Sequence, residues 1–305
     1  MSFTSTVKNE VSKLEQSKIE SIAELSALLR NSSTITDIIR VTTENASVAR
    51  LVFNIVKELY SVRCKITVRQ GYNYNKNYIY ILEISKGISD MLKDLSLDKS
   101  IPREYLVDDD LSKRAYLRGV FLSSGSINDP KKSRYHLEFI FDSDEYAKFV
   151  SKLINQYGLN SKVLKRENKY MVYVKEAEKI GDFLRMVSAI QALFYYEDIR
   201  IYRDHKNMTN RLNNCEQANV DKAIETAMKQ AEDIELIDSV SGLELLSEKD
   251  KLAALYRIKY REASLLELSE IISIETGVKI TKSGLYHRFN KIKELANKIR
   301  EKEKS

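Results

Sequence analysis

The pattern of hydrophobic and polar positions switches between helical and strand spacing along the first part of the chain. A helical segment over 24–35 comes first, and alternation over 37–43 then predicts a strand. Positions 46–60 return to helical spacing, with one apolar face made of Val48, Leu51, Val52, Ile55 and Leu59. The remaining expected elements of this half are two paired strands, 64–70 and 78–84. A turn rich in Gly and Asn, 71–77, would join them.

The same order of patterns returns 92 residues later. Residues 116–127 match 24–35 in the positions of their large apolar, small and hydroxyl residues. The matched pairs include Leu25 with Leu117, Ala27 with Gly119, Ser32 with Ser124 and Ile35 with Ile127. The elements expected after this second copy are a strand, a helix capped by Ser143 or Asp144, a hairpin and a further helix: 135–141, 144–157, 162–166 with 170–175, and 177–193.

Each half is therefore predicted as helix, strand, helix, hairpin and helix, with the repeats at about 18–94 and 110–200. Two such halves can place their sheets side by side under the two repeated helices, in a pseudo-two-fold α+β saddle of αβαββα-type repeats. Ala27 and Gly119 would let these helix backbones approach closely, although each could equally be an ordinary small core residue. We interpret the acidic run 108–110 as a cap that stabilises the start of the second repeated helix, rather than as a metal site.

A polar, Asn-rich stretch at 201–219 follows the repeats. We expect it to act as a connector, after which a helix with one apolar stripe resumes at Val220 and packs on one domain. Gly242 would end that helix. The expected organisation is a repeat domain at 1–205, a helical linker at 206–238 and an all-α C-terminal domain at 239–305.

Three short helices are predicted in the C-terminal domain, at 248–260, 264–274 and 282–299. Ser264 and Glu267 have the spacing of a capping box, in which each side chain accepts a hydrogen bond from the other's backbone N–H. Gly277 lies where a left-handed residue would end the second helix. Three helices with a tight turn before the last are typical of a helix-turn-helix module, which we place at about 264–300.

Positive charge is concentrated at the end of this module. The chain has a net charge of +6, and residues 281–305 contain eight Lys or Arg and three Asp or Glu. A basic helix that ends a compact module favours phosphate, so we expect double-stranded DNA as the partner. The alternative is a small protein-interaction module whose charged face is simply solvated.

The candidate DNA-contacting residues lie at the starts of the last two helices: Ser264, Thr281, Lys282, Ser283, Gly284, Tyr286, His287, Arg288, Asn290 and Lys291. Thr281 or Ser283 would cap the last helix, whose first N–H groups can bind phosphate. Arg288 is a candidate for a bidentate contact with guanine, and Asn290 for one with adenine.

Composition gives little support to metal, disulfide or membrane chemistry. Cys64 and Cys215 are far apart and the three His residues are scattered, so we expect neither a disulfide framework nor a zinc site. No apolar run approaches the roughly 20 residues that span a bilayer, and the N-terminus lacks the features of a signal peptide. We therefore expect a cytoplasmic, nucleoid-associated protein that uses no cofactor, metal or membrane.

Residues 116–127, YLRGVFLSSGSI, resemble the LAGLIDADG motif of homing endonucleases, and the first copy of the repeat resembles a degenerate partner of it. The resemblance implies a saddle over DNA in which each motif helix ends in a metal-binding acid. Ser32 and Ser124 stand at those acid positions, and Arg30 and Leu122 replace the motif's other acid. A hydroxyl cannot replace a carboxylate in holding Mg²⁺. The resemblance therefore implies a retained saddle without catalytic residues or metal.

Two further motifs are 281–288, TKSGLYHR, and 213–219, NNCEQAN. With them the chain is similar, over roughly its full length, to the WhiA family of bacterial regulators. This resemblance implies a non-cleaving LAGLIDADG-like domain joined by a linker to a sigma-region-4-like helix-turn-helix. It also implies a transcription regulator rather than an enzyme, with roles in sporulation control, cell division and chromosome segregation, and regulatory or division proteins as further partners.

Two alternative functions stay open at this point. Asp37 and Asp129 are the only repeated carboxylates near the motif ends and would serve a metal-dependent endonuclease, although Asp129 precedes Pro130 and suits a turn. The other alternative is a scaffold that binds division proteins, with DNA contact secondary.

Overall fold

The computed structural model describes residues 2–70, 78–132 and 134–303, and the chain divides into two compact units, Met1–Arg203 and Asp204–Ser305. The elements up to the end of the repeats are α1 (Phe3–Val11), α2 (Lys18–Ser32), β1 (Ser33–Ile35), β2 (Ile39–Thr43), α3 (Ala46–Tyr60), β3 (Lys65–Gln70), β4 (Tyr78–Ile84), α4 (Ile88–Asp94), α5 (Asp110–Ser124), β5 (Gly125–Ile127), β6 (Leu137–Phe141), α6 (Asp144–Asn155), β7 (Lys162–Arg166), β8 (Lys169–Val174) and α7 (Ala177–Met186). The elements that follow are α8 (Ile190–Ser241), α9 (Glu248–Lys259), α10 (Leu265–Thr276) and α11 (Lys282–Glu303).

Two four-stranded antiparallel sheets form the first unit, in the orders β1-β2-β4-β3 and β5-β6-β8-β7. The identical strand orders confirm the predicted duplication and the α+β class. Each half contains one strand more than the expected αβαββα pattern, because β1 and β5 directly follow the repeated helices. Each of these strands has only three residues, too few for alternation to be visible in the sequence. The predicted turn at 71–77 lies outside the described residues.

The two repeated helices, α2 and α5, pack directly against each other at the centre of this unit. A Cβ atom added to Gly119 would lie 2.2 Å from the carbonyl oxygen of Glu24 and 3.0 Å from the Cβ of Ala27. Real Cβ atoms do not approach a backbone oxygen so closely, so this helix crossing requires glycine. The expected close approach of the helices at Ala27 and Gly119 is confirmed.

Side-chain caps fix the starts of the main helices. Asp109 accepts a hydrogen bond from the Ser112 N–H at 3.0 Å, which confirms a capping role for the acidic run before α5. At α6 the cap is Ser143, not Asp144, since the Ser143 hydroxyl accepts from the Tyr146 N–H. Both caps satisfy N–H groups that have no partner within the helix.

A helix that the pattern analysis did not identify, α1, precedes the first repeat. Its buried residues, Phe3, Val7 and Val11, belong to the core of the first unit. The Thr4 hydroxyl donates to the Ile127 carbonyl at 2.9 Å. The Glu10 carboxylate accepts from the backbone N–H groups of Gln191 and Ala192, at 2.7 and 2.9 Å, and so caps the start of α8.

The helices after the second sheet differ from the prediction in two ways. The predicted helix at 177–193 is interrupted, because α7 ends at Met186 and Ser188 adopts the left-handed conformation with φ of 63°. The predicted connector at 201–219 is helical, and α8 continues through it for 52 residues in total. Asparagine lowers helix propensity by only a few tenths of a kcal/mol, which is too little to end a helix extended from packed ends. Among the described residues, no helix is both long and apolar enough to cross a membrane.

The second unit has its own core, formed where α9, α10 and α11 meet the last part of α8. Ile234 and Ile237 of α8 are fully buried in that core, so its packing begins before residue 239, where we placed the start of the C-terminal domain. Gly242 ends α8 with a positive φ of 72°, as expected. Gly277 ends α10 in the left-handed conformation, also as expected.

Candidate nucleic-acid interface

The start of α11 is set by Thr281. Its hydroxyl oxygen accepts a hydrogen bond from the Gly284 N–H at 3.1 Å, and Leu285 N–H bonds to the Thr281 carbonyl. Of the two expected caps, Thr281 therefore fills the role, and Ser283 lies in the first turn with an exposed side chain. The first N–H groups of a helix have no partner within the helix, and a helix N-terminus favours anions.

One face of α11 is buried and the opposite face is polar. Leu285, Phe289 and Ile292 are at most 3% exposed and pack into the core of the second unit. The first three turns place these polar residues, all exposed, on the surface: Lys282, Ser283, Tyr286, His287 and Lys291. Burial on one side thus fixes the orientation in which this group is presented, a group we call the α11 face.

Arg288 does not belong to the α11 face. It is only partly exposed, and its Nη1 donates to the backbone carbonyl of Lys249, the second residue of α9, at 3.0 Å. Asn290 is also partly buried. In this structure Arg288 therefore links α11 to α9, and a bidentate contact with guanine would require it to leave that carbonyl.

The capping box at Ser264 forms as expected. The Ser264 hydroxyl accepts from the Glu267 N–H at 3.2 Å, and the Glu267 carboxylate accepts from the Ser264 N–H at 2.7 Å. The hydrogen bond from the Ser264 N–H to the carboxylate holds the pKa of Glu267 below its ordinary value. The Ser264 side chain and N–H are thus used in starting α10.

A buried arginine, Arg257, holds the second unit together, and sequence reasoning missed it. It is 1% exposed, and its Nη1 donates to the carbonyls of Tyr260 and Ala263, at 3.1 and 2.6 Å. Its Nε donates to the Gln230 side chain on α8 at 3.1 Å. Burial lowers the pKa of Arg257 to about 10. No local pattern marks this arginine, because its partners lie in a loop and on another helix.

The ends of α2 and α5 carry the serines at the motif's acid positions. The Ser32 hydroxyl donates to the Leu28 carbonyl at 2.7 Å, and the Ser124 hydroxyl donates to the Val120 carbonyl at 2.9 Å. Each hydroxyl proton is thus used by its own helix. Among residues 2–70, 78–132 and 134–303, no three His, Cys, Asp or Glu side chains are grouped so that they could hold a metal ion.

Arg30 and Leu122, at the motif's other acid positions, have structural contacts. Arg30 Nη2 donates to the Ser96 carbonyl at 2.6 Å, and Nη1 donates to the Ser100 carbonyl at 3.2 Å. Leu122 is buried. Arg30 therefore holds the segment between the two halves against α2.

A buried ion pair joins the two repeated helices. Arg118 Nε and Nη2 on α5 both lie 3.1 Å from Glu24 Oε2 on α2. Burial raises the pKa of the Glu24 carboxyl, and the Arg118 charge opposes that rise. The pair does not follow the repeat, since Glu24 matches Tyr116 in the second copy and Arg118 matches Ser26 in the first. Sequence reasoning missed it because the partners are 94 residues apart.

The surface of the first sheet carries mixed charge. Arg40 and Lys65 both contact Glu83, with nitrogen to oxygen distances of 2.9 and 3.7 Å. In the sheet, Glu83 on β4 lies opposite Arg40 on β2 and opposite Lys65 on β3. This surface therefore neutralises part of its own positive charge, in contrast to the α11 face.

Three family models match the chain along its length: the WhiA N-terminal LAGLIDADG-like domain at 18–98, the WhiA LAGLIDADG-like domain at 113–206 and the WhiA C-terminal HTH domain at 209–296. The last match contains α9, α10 and the first two thirds of α11. The first two matches correspond to the two halves of the first unit, whose motif positions hold serine where the LAGLIDADG motif has acids.

Relatives with similar full-length sequences carry the same family name. "Probable cell division protein WhiA" of Staphylococcus epidermidis is 42% identical over 98% of both chains. The protein of that name from Staphylococcus haemolyticus is 41% identical over 100% of this chain and 99% of its own. The crystal structure of full-length DUF199/WhiA from Thermatoga maritima superimposes with a TM-score of 0.59 at 25% identity, covering 98% of this chain and 99% of that one. The chain belongs to the WhiA family.

Proposed function

We propose that this chain is a non-cleaving, DNA-binding transcription regulator that reads double-stranded DNA through the first half of α11. The observation that carries the proposal is the α11 face, where Lys282, Ser283, Tyr286, His287 and Lys291 are exposed in the first three turns of a helix capped by Thr281. A helix of this kind fits the major groove with its first turns at the base edges. The N–H groups of Lys282 and Ser283, in the first turn of α11, would donate to a phosphate.

Base recognition and backbone contact are assigned to different residues in this proposal. Lys282 and Lys291 are exposed cations that suit phosphate oxygens. Asn290 would contact adenine, for which an amide side chain is well matched. Arg288 would contact guanine after leaving the Lys249 carbonyl, or else would position α11 against α9.

A matched pair of variants tests the interface on the full chain. We expect Lys282→Ala/Lys291→Ala to weaken binding to a duplex target by about tenfold or more in a fluorescence anisotropy titration at fixed salt. The control, Lys298→Ala/Lys302→Ala, removes the same charge from the other end of α11 and should have a much smaller effect. Equal losses in both variants would show that total charge matters rather than the α11 face, and would contradict the proposal.

The salt dependence of binding provides a second measurement. Each lysine that neutralises a phosphate contributes nearly one to the slope of log affinity against log salt concentration. The Lys282→Ala/Lys291→Ala variant should therefore have a slope that is shallower by about two. An unchanged slope would mean that these lysines do not contact DNA.

We propose that the LAGLIDADG-like unit has no nuclease activity. The serine hydroxyls at the motif acid positions donate to carbonyls of their own helices, and serine lacks the charge that a divalent ion requires. Incubation of plasmid DNA with the protein and Mg²⁺ or Mn²⁺ should leave the plasmid uncut. Cleavage that is lost on Asp129→Ala would instead support the endonuclease alternative.

The name of the curated relatives, "Probable cell division protein", favours cell division as the process in which this regulator acts. We propose sporulation control and chromosome segregation as its further roles. A scaffold for division proteins is the second candidate. It predicts partners that remain bound in a pull-down after nuclease treatment and after removal of residues 239–305. Partners lost under both treatments would favour DNA binding as the primary role, with the protein located on the nucleoid.

A further inference from the structure

A cavity of about 830 Å³ lies in the first unit, where the C-terminal ends of α2 and α5 come near α1. Ser32 of α2 and Leu122 and Ser123 of α5 line it on one side, and Lys8 of α1 lines it on another. The remaining lining includes several further hydroxyl groups: Ser2, Ser5, Thr42 and Thr43.

Lys8 is the only lysine or arginine among the residues that line this cavity. Its side chain is mostly buried, with its ammonium nitrogen 5.6 Å from the centre of the Phe121 ring. Within the described part of the chain, no carboxylate forms a salt bridge with it. Burial lowers the pKa of Lys8 to about 8, and no neighbouring charge contributes to the change. Glu44 also lines the cavity but does not act on this pKa.

A buried cation without a carboxylate partner reduces stability, and proteins retain such groups mainly where they bind or react. Two of the hydroxyls around it can donate hydrogen bonds to a ligand. Ser2 and Thr43 use their oxygens as acceptors for the N–H groups of Ser5 and Asn45, so their O–H groups are available to donate. The cavity thus combines the Lys8 ammonium and O–H donors with the Glu44 carboxylate, and the ammonium and the O–H groups are the ones that can hold an oxyanion.

We propose that this cavity binds a phosphate group, held by the Lys8 ammonium and the hydroxyls around it. Helix C-terminal ends carry partial negative charge, and the ends of α2 and α5 both reach this cavity. Lys8, which lines the same cavity, supplies the positive charge that offsets these helix ends. The proposal does not depend on DNA binding by α11.

The test measures binding of inorganic phosphate to the full chain by calorimetry, in the native protein and in matched lysine variants. Lys8→Met should weaken binding by about ten- to a hundredfold, as expected for loss of a charged hydrogen-bond donor. Lys13→Met removes an exposed lysine two residues after α1 and should leave the affinity unchanged. Lys8→Arg keeps the charge and should retain binding within a fewfold.

A second measurement on the native protein does not depend on how the variants fold. Phosphate bound beside Lys8 must raise the pKa of its ammonium, which can be followed by NMR of the lysine side-chain carbon and nitrogen. The proposal is overturned if phosphate leaves this pKa unchanged, or if Lys8→Met binds phosphate as well as the native chain.

The phosphate group could belong to DNA or to a small phosphorylated molecule, and a competition experiment distinguishes these sources. The Lys282→Ala/Lys291→Ala variant is loaded with phosphate, and a short duplex is added. Displacement of phosphate by the duplex assigns the cavity to a DNA phosphodiester, whereas retained phosphate assigns it to a free phosphorylated molecule. If α11 does not bind DNA, the proposed function is wrong, but phosphate binding and its displacement by a duplex can still be measured.

Discussion

The two units differ in how they use their charged side chains. The first unit buries charge between its elements, as in the Arg118–Glu24 pair across the motif helices and Lys8 beside the cavity. The second unit buries Arg257 in its core but keeps the lysines of the α11 face in solvent. Charge in the first unit therefore determines how its helices fit together, while charge on α11 is available to a partner. Substitutions in each unit should therefore distinguish side chains that stabilise the fold from side chains that contact a partner.

The largest effect is expected at the helix crossing of the first unit. Gly119→Ala would place a methyl group 2.2 Å from the Glu24 carbonyl oxygen, so the helices must separate. We expect a loss of roughly 3 kcal/mol or more in the free energy of unfolding of this unit. Hydrogen exchange of its amides would report the loss, with amides of the second unit unaffected. Ser123→Ala, one turn later on α5, is the control and should cost far less.

The buried arginine of the second unit should have the next largest effect. Arg257→Met keeps an unbranched apolar stem but removes the guanidinium, and so leaves the carbonyls of Tyr260 and Ala263 without their donor. Two partly buried acceptors without donors should cost about 2 kcal/mol in the unfolding free energy of the second unit. Urea denaturation followed by amide exchange in α9 and α10 measures this cost. A loss confined to the first unit would contradict the role given to Arg257.

A smaller effect of opposite sign is expected at Lys8. The pKa of this lysine is about 8 in the folded chain and 10.5 ordinarily, so below pH 8 the folded state holds a charge that burial disfavours. Lys8→Met should raise the unfolding free energy by about 1 kcal/mol at pH 7.

The advantage of the Lys8→Met variant should depend on pH. Between pH 8 and about 10.5 the unfolded native chain binds more protons than the folded one, so the stability of the native protein rises with pH. The difference between the variant and the native chain should therefore shrink over this range. Urea unfolding at pH 7 and at pH 10 checks this. A constant difference would show that Lys8 is not charged and buried as described.

The smallest effect is expected at the start of α10. Ser264→Ala removes the hydroxyl that accepts from the Glu267 N–H and should cost about 1 kcal/mol in the second unit. The same substitution at Ser239, whose exposed hydroxyl donates to the Leu236 carbonyl in the same unit, provides a comparison away from the helix start. Thermal unfolding followed by circular dichroism would detect the difference. An equal loss at both serines would argue against a special role for the cap.

Local signals in the sequence predicted the elements that depend on neighbours in the chain. The apolar spacing predicted α3 with its observed bounds. The Ser264 capping box predicted the start of α10, and Gly277 predicted its end. The repeat led to the pairing of the motif helices and to glycine at their crossing. These features depend on residues within a few positions of each other or on a direct internal comparison.

Features that depend on distant partners could not be predicted. The Arg118–Glu24 pair joins residues 94 positions apart and breaks the repeat. Arg288 suits base recognition by its position in α11, yet the Lys249 carbonyl, 39 residues earlier in the chain, accepts from it. Lys8 lies in a short helix whose hydrophobic and polar positions are mixed. Its candidate role is visible only from the cavity that it lines.

The long helix α8 has a consequence for folding. Its residues 204–222 are exposed on every side, while its first residues pack in the first unit and Ile234 and Ile237 pack in the second. An isolated helical segment of this length is marginal in water because nucleation is unfavourable. This segment is extended from turns that are already formed at both ends. Local unfolding of the chain should therefore begin in this segment, and its helicity reports whether both neighbouring cores are intact.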